Sequence, residues 1–169
     1  MPRPRIPRRI LTPPRFLHFK PVGVPRRQLD TVRVTVDEAE AIRLADHEGL
    51  DHQPASERMG ISRSTFTRLL EAAHGKIARC IIEGCELVIE GGDVDFEHSL
   101  VRCKDCGVER ITDANPGDEL TDEETPCGSC GSENTEDLAR IALRGHLRGR
   151  GEGRNRHGRN IGPERREQS

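Results

Sequence analysis

Two Cys-x-x-Cys pairs constrain this chain more than any other feature: Cys103-Lys104-Asp105-Cys106-Gly107 and Pro126-Cys127-Gly128-Ser129-Cys130-Gly131. Four thiolates in two close pairs, twenty residues apart, can close a tetrahedron around one metal ion. A glycine after each pair lets the backbone turn tightly and aim its N–H groups at sulfur. The pattern predicts a ribbon built around Cys103, Cys106, Cys127 and Cys130, holding one zinc ion. Iron in a rubredoxin-like site is the rival, and the absence of Trp and Tyr speaks against that core. Four protein ligands leave no open coordination position, so the ion is structural rather than catalytic. His98, five residues before Cys103, reads as a surface histidine.

With only a third of its 169 residues hydrophobic and four Phe as its aromatics, the chain is thin for one large core and fits two small modules with tails. No apolar run reaches membrane-spanning length, and the N-terminus lacks the apolar stretch of a signal peptide. A cytoplasmic protein without membrane contact is expected, with cysteines serving as metal ligands and buried thiols rather than disulfides. Cys80 and Cys85, at helical spacing about 140° apart, are poorly placed to chelate and read as free thiols.

The formal net charge of −2 hides segregation. Residues 1–36 carry nine Lys/Arg against one acid, and residues 138–169 nine against three. Residues 91–137 carry three bases against fourteen acids, a charge of −11. Basic ends around an acidic middle point to arms that meet a polyanion.

Punctuation along the chain divides it further. Residues 1–34 form a basic proline-rich arm. Residues 1–15 of it are expected to be extended because proline removes donors and blocks helix, and Arg33-Val34-Thr35-Val36 alternates briefly as a possible extended stretch. Residues 35–92 carry helical periodicity. Thr35 with Glu38 makes a capping box, and a helix runs from there to Gly49. A short second helix spans about 52–59, and Ser62 caps a longer third one with Phe66, Leu69, Leu70, Ala73, Ile77 and Ile81 on its apolar side, ending near Gly84. Leu87-Val88-Ile89 is a possible short strand, and Gly91-Gly92 reads as a linker. The ribbon occupies 93–133, a short helix 134–147, and an Arg/Gly-rich tail expected to be disordered 148–169. The fold class expected is mainly α: a small helix-turn-helix domain, then a small zinc ribbon, with basic flexible tails.

The stretch His52 to Leu70 meets the requirements of a helix-turn-helix. Ser56 is small enough for the helix crossing, Gly60 can take the sharp turn, and Met59 and Ile61 flank it. Phe66 and Leu69 then face inward. The wet face is left to Ser62, Arg63, Ser64, Thr67 and Arg68, in the turns where a recognition helix meets bases and phosphates.

The same residues carry a resemblance. Met1-Pro2-Arg3-Pro4, Phe19-Lys20-Pro21-Val22-Gly23-Val24-Pro25, Asp37 to Asp46 and Ala55 to Arg63 match the small prokaryotic family called domain of unknown function 134, predicted DNA-binding proteins. Its helix-turn-helix is similar to region 4 of the sigma-70 type. The match covers about residues 1–92 and implies a DNA-binding domain of three helices or winged-helix type. Some members carry a C-terminal domain similar to nitrogenase-cofactor-binding proteins, where this chain carries its four-cysteine ribbon.

No nucleophile–base pair, phosphate loop or paired-carboxylate motif stands out, so an enzyme is not expected. The leading expectation is a transcriptional regulator that binds double-stranded DNA. Its helix-turn-helix would read the major groove, and Arg3, Arg5, Arg8 and Arg9 of the arm would track phosphates or enter a minor groove. The ribbon, too acidic for DNA, would dock a protein or form a homodimer. The alternative is a protein-interaction adaptor using that ribbon, or an RNA-binding protein using the basic tail.

Overall fold

The computed structural model describes residues 7–112 and 126–149. Arg3 and Arg5, the acidic stretch 113–125 and the tail from residue 150 lie outside the described residues. The architecture overturns the mainly α expectation. Four α-helices share the described residues with three small sheets. The strands are two to five residues long, too short for a period-two pattern to stand out against helical neighbours.

Three strands come from the proline-rich arm: β1 (Arg8–Ile10), β2 (His18–Phe19) and β3 (Thr31–Val34). Helices α1 (Val36–Ile42), α2 (His52–Arg58) and α3 (Arg63–Glu83) follow, with a π-helical turn at Arg43–His47 after α1. Strands β4 (Glu86–Ile89) and β5 (Val94–Phe96) return to the N-terminal strands. β4 lies between β2 and β3, antiparallel to the first and parallel to the second, while β5 pairs β1 in parallel with Ile10 opposite Phe96. The last unit holds β6 (Ser99–Cys103), β7 (Glu109–Thr112), β8 (Thr135–Asp137) and α4 (Leu138–Gly149), with β6 central in an antiparallel sheet.

Local signals place the helices. At the start of α1 the Glu38 carboxylate accepts the Thr35 N–H at 2.8 Å, completing the capping box, and also accepts from Lys76 Nζ of α3 at 2.6 and 2.7 Å. Arg43 reaches Glu40 with two hydrogen bonds of 2.7 Å and also binds Glu48, which Arg58 of α2 grips at 2.6 Å. These bonds, to Glu40 first, push the Arg43 pKa further up. The hydrogen bond from Arg43 holds the Glu48 carboxyl below its usual range. Around them Ala41, Leu44, Ala55, Met59, Phe66 and Leu70 form one buried cluster. The expected inward position Ile81 is 72% exposed.

A second cluster unites distant segments: Ile10 of β1, Leu17, Val36 at the start of α1, Phe96 of β5, and Ala139 and Ala142 of α4. Gly91-Gly92 is therefore a packed junction rather than a linker. The Gly91 N–H donates to the Ala142 carbonyl at 2.8 Å, and the Gly91 carbonyl accepts from the Val36 N–H at 3.0 Å. Gly92 sits at φ +109°, where a Cβ would come 2.9 Å from Asp37 Oδ1. Only glycine fits that approach.

Candidate nucleic-acid interface and metal centre

The turn between α2 and α3 is built from the residues that the sequence singled out. Ser56 is buried, and its hydroxyl is satisfied by donating to the Gln53 carbonyl at 2.8 Å. Gly60 takes φ +66°, a left-handed conformation that L side chains resist. The Ile61 N–H closes the turn onto the Ser56 carbonyl at 3.0 Å. Ser62 Oγ then accepts the Thr65 N–H at 3.2 Å and caps α3. Phe66 lies fully buried behind the cap, with the His52 ring edge-on to it at 5.4 Å.

Of the α3 candidates, Ser62, Arg63, Ser64 and Arg68 are exposed, and Thr67 is half-buried. Thr67 Oγ1 donates to the Arg63 carbonyl at 3.1 Å and lies 3.0 Å from His52 Nδ1. These two contacts engage the Thr67 hydroxyl within the fold and fix α2 against α3.

The arm arginines divide by the alternation of β1. Arg8 turns inward and its Nη1 meets Asp37 Oδ2 at 2.8 Å, with the Asp37 side chain 4% exposed. Arg9 turns outward. Its N–H donates to the Met59 carbonyl at 3.2 Å, and its Nε lies 3.3 Å from where a Gly60 Cβ would stand. The strand thus pins one exposed guanidinium beside the helix–turn–helix turn, while Arg8 serves the fold. Sequence reasoning treated the two alike, and the signal that separates them is the period of two in a strand.

The four cysteines converge. Cys103 and Cys130 sulfurs lie 3.6 Å apart, as do those of Cys106 and Cys127, and all four fall within 4.8 Å of one another. A tetrahedral thiolate site with metal–sulfur bonds of ~2.3 Å has sulfurs about 3.8 Å apart, so the set is compatible with a bound metal ion. Both knuckles repeat one pattern. The Cys103 N–H donates to the Val108 carbonyl and the Gly107 N–H to the Cys103 carbonyl. The Cys127 N–H likewise donates to Ser132 and the Gly131 N–H to Cys127. Backbone N–H groups of Cys106 and Asp105 lower the Cys103 pKa, and those of Cys130 and Ser129 bring Cys127 down to about 6. The Ser132 N–H favours the Cys130 thiolate, yet the Cys106 thiol, burial and the other two thiols push Cys130 up to about 12. A cation among the sulfurs would favour the thiolate form of all four.

One support went unread in the sequence. The Asp105 carboxylate, inside the first knuckle, accepts from Ser132 Oγ and from Asn134 Nδ2 at 3.0 Å just past the second. These donors, Ser132 first, hold its pKa below the usual range. His98 is not among the clustered ligands. No helix of the described residues is long and apolar enough to cross a membrane.

Fold and site together define a mixed α and β protein that couples a helix–turn–helix pair to a four-thiol centre. The chain belongs to the family described as protein of unknown function DUF134, whose profile matches residues 1–97. It is similar to a UPF0251 protein of Chloroherpeton thalassium, 49% identical over 138 residues, covering 82% of this chain and 87% of that one. A UPF0251 protein of Moorella thermoacetica is 41% identical over 162 residues, 94% and 96% of the two chains. One from Methanothermobacter thermautotrophicus is 40% identical over 159 residues, 91% and 79%.

Proposed function

We propose that this protein is a cytoplasmic DNA-binding regulator of transcription whose helix–turn–helix reads the major groove, and that its cysteine centre holds one structural zinc ion. The observation that carries the DNA reading is the exposed set at the start of α3. Ser62, Arg63, Ser64 and Arg68 lie in its first two turns, and Arg9 is pinned at the turn before them. Arg63 and Arg68 suit guanine edges or phosphates, and the serines suit phosphates. For the metal, the support is a closed set of four thiolates with no position left for a substrate.

The test is selection of double-stranded DNA from a random pool by the purified protein, with metal measured on the same sample. Arg63→Ala should weaken binding to the selected site by about tenfold or more, one guanine contact being worth ~1–3 kcal/mol, with metal content unchanged. Equal binding by both proteins would sink the recognition role. Cys103→Ser should abolish the bound metal, and unchanged stoichiometry would reject the four-cysteine assignment.

A second reading, a protein-docking adaptor, is favoured by one feature of the ribbon. Val108 and Ile111 are 45% and 64% exposed. Val108, but not Ile111, lines a cavity of about 310 Å³ together with Val101, Arg110, Thr135 and residues of both knuckles. Salt separates the readings, because a DNA reader loses affinity steeply as salt rises and an adaptor selects no site.

A further inference from the structure

We propose that the cysteine centre controls how firmly the N-terminal strand is docked on the helix–turn–helix, so that loading of the centre sets DNA affinity. The DNA half of this inference rests on the function proposed above.

The connection is a continuous set of bonds and packed side chains. β8 follows the second knuckle directly and is three residues long, with Cys103 of the first knuckle opposite Thr135. Its hold on β6 is reinforced by the Lys104 N–H, which donates to the Asn134 carbonyl at 2.9 Å. At the end of β8, Asp137 Oδ1 accepts from Ser99 Oγ at 2.6 Å and from the N–H groups of Ala139 and Arg140 at 2.9 and 3.2 Å. One carboxylate thus ties β6 to the first turn of α4. That helix places Ala139 and Ala142, both fully buried, against Ile10, Leu17, Val36 and Phe96.

From there two routes reach the DNA-reading unit. The Ala142 carbonyl holds the Gly91 N–H, and the Gly91 carbonyl holds the Val36 N–H at the first residue of α1. Ile10, packed in the same cluster, follows Arg9, whose N–H is bonded to Met59 and whose side chain lies against Gly60. A three-residue ladder does not hold a helix in a core by itself. The junction of the two knuckles fixes β8, and with the knuckles apart, α4 loses its anchor. The cluster around Ile10 then opens, and Arg9 leaves the turn.

The experiment uses the full-length, metal-loaded protein, the same protein stripped by a chelator, and a variant, Asp137→Ala, that keeps all four cysteines. Hydrogen exchange is followed at the Arg9, Val36 and Gly91 amides and, as an internal reference, at Phe66 in α3. Affinity for the selected DNA site is measured alongside at fixed salt. Stripping should speed exchange at the first three amides while Phe66 stays protected, and should weaken DNA binding. Asp137→Ala should retain its metal, speed exchange at the same amides about fivefold, the usual effect of losing a helix cap, and weaken DNA binding in step. Asp137→Asn, which keeps the accepting oxygen, should restore both.

Unchanged exchange in stripped protein, or equal loss at Phe66 and Arg9, would overturn the proposal. A loaded protein that selects no DNA refutes the reading of function, and exchange then decides the docking alone. DNA binding that survives stripping refutes the coupling and leaves the function standing.

Discussion

Two glycines in the helix–turn–helix invite the same substitution and should answer it with opposite signs. Gly60 sits in the turn at φ +66°, with the Arg9 side chain 3.3 Å from the place of a Cβ. Gly75 sits in the interior of α3, exposed, with nothing within 4 Å of that place. Alanine at position 60 must adopt a left-handed backbone, at a cost of about 1–2 kcal/mol. The Arg9 contact adds little, because the far end of a flexible side chain can move a few tenths of an ångström, but the guanidinium is displaced from the turn. Alanine at position 75 meets no neighbour and removes the entropy of a helical glycine, a gain of about 1 kcal/mol. For a chain of this size 1 kcal/mol is about 2–4 °C in Tm. The assay is urea unfolding of metal-loaded protein followed by helical circular dichroism, with the m-value as a check that the exposed surface is unchanged. Gly75→Ala should raise the midpoint, Gly60→Ala should lower it, and only the second should weaken DNA binding. A destabilised Gly75→Ala, or a Gly60→Ala indistinguishable from the parent, would refute the assignment of these two backbone environments.

Three further outcomes follow from side-chain roles. Arg8→Met leaves the 4% exposed Asp37 side chain without its cation and should cost roughly 3 kcal/mol in urea unfolding. Arg9→Met should change stability by less than about 0.5 kcal/mol and instead lower DNA affinity and its salt slope by about one phosphate contact. The Glu48 carboxyl is held low by Arg43. A depressed carboxylate contributes stability that is present above the unfolded pKa and lost as pH falls through the folded one. Glu48→Gln should therefore be less stable than the parent at pH 6, the difference shrinking below pH ~4.5 as the parent's own carboxylate is protonated. A gap that persists at pH 2 would show that packing, not charge, is responsible.

What the sequence made legible was local. The capping box at Thr35 and Glu38, the turn at Gly60, the Ser62 cap and each of the two cysteine knuckles join groups only a few residues apart, so their spacing alone displays them. The mainly α expectation failed because strand pairing is not local. β1 finds β5 more than eighty residues on, and neither is long enough to show alternation. Gly91-Gly92 looked like a linker because paired glycines usually are. Here Gly92 is small because the Asp37 carboxylate stands against it, and Gly91 is bonded to α4. Ile81 matched the helical period, yet periodicity does not say which positions of a helical stripe a neighbour covers. Charge patterning grouped the arm arginines together, and only the strand showed that Arg8 and Arg9 have different tasks.

The parallel pairing of β1 with β5 sets an order on synthesis. The helices between them make mostly near-neighbour contacts and can form as they emerge from the ribosome. The first strand cannot pair until Val94–Phe96 has been made, and its core is not filled until Ala139 and Ala142 appear. Contacts of such long sequence separation form late and slowly. Between the synthesis of Glu83 and that of Ala142 the nascent chain carries its three helices with Ile10 and Leu17 still uncovered. Arg8–Ile10 are thus among the last of the described residues to reach their native places. A truncation just after Gly92, where the paired glycines invite a domain boundary, would leave that wait unfinished.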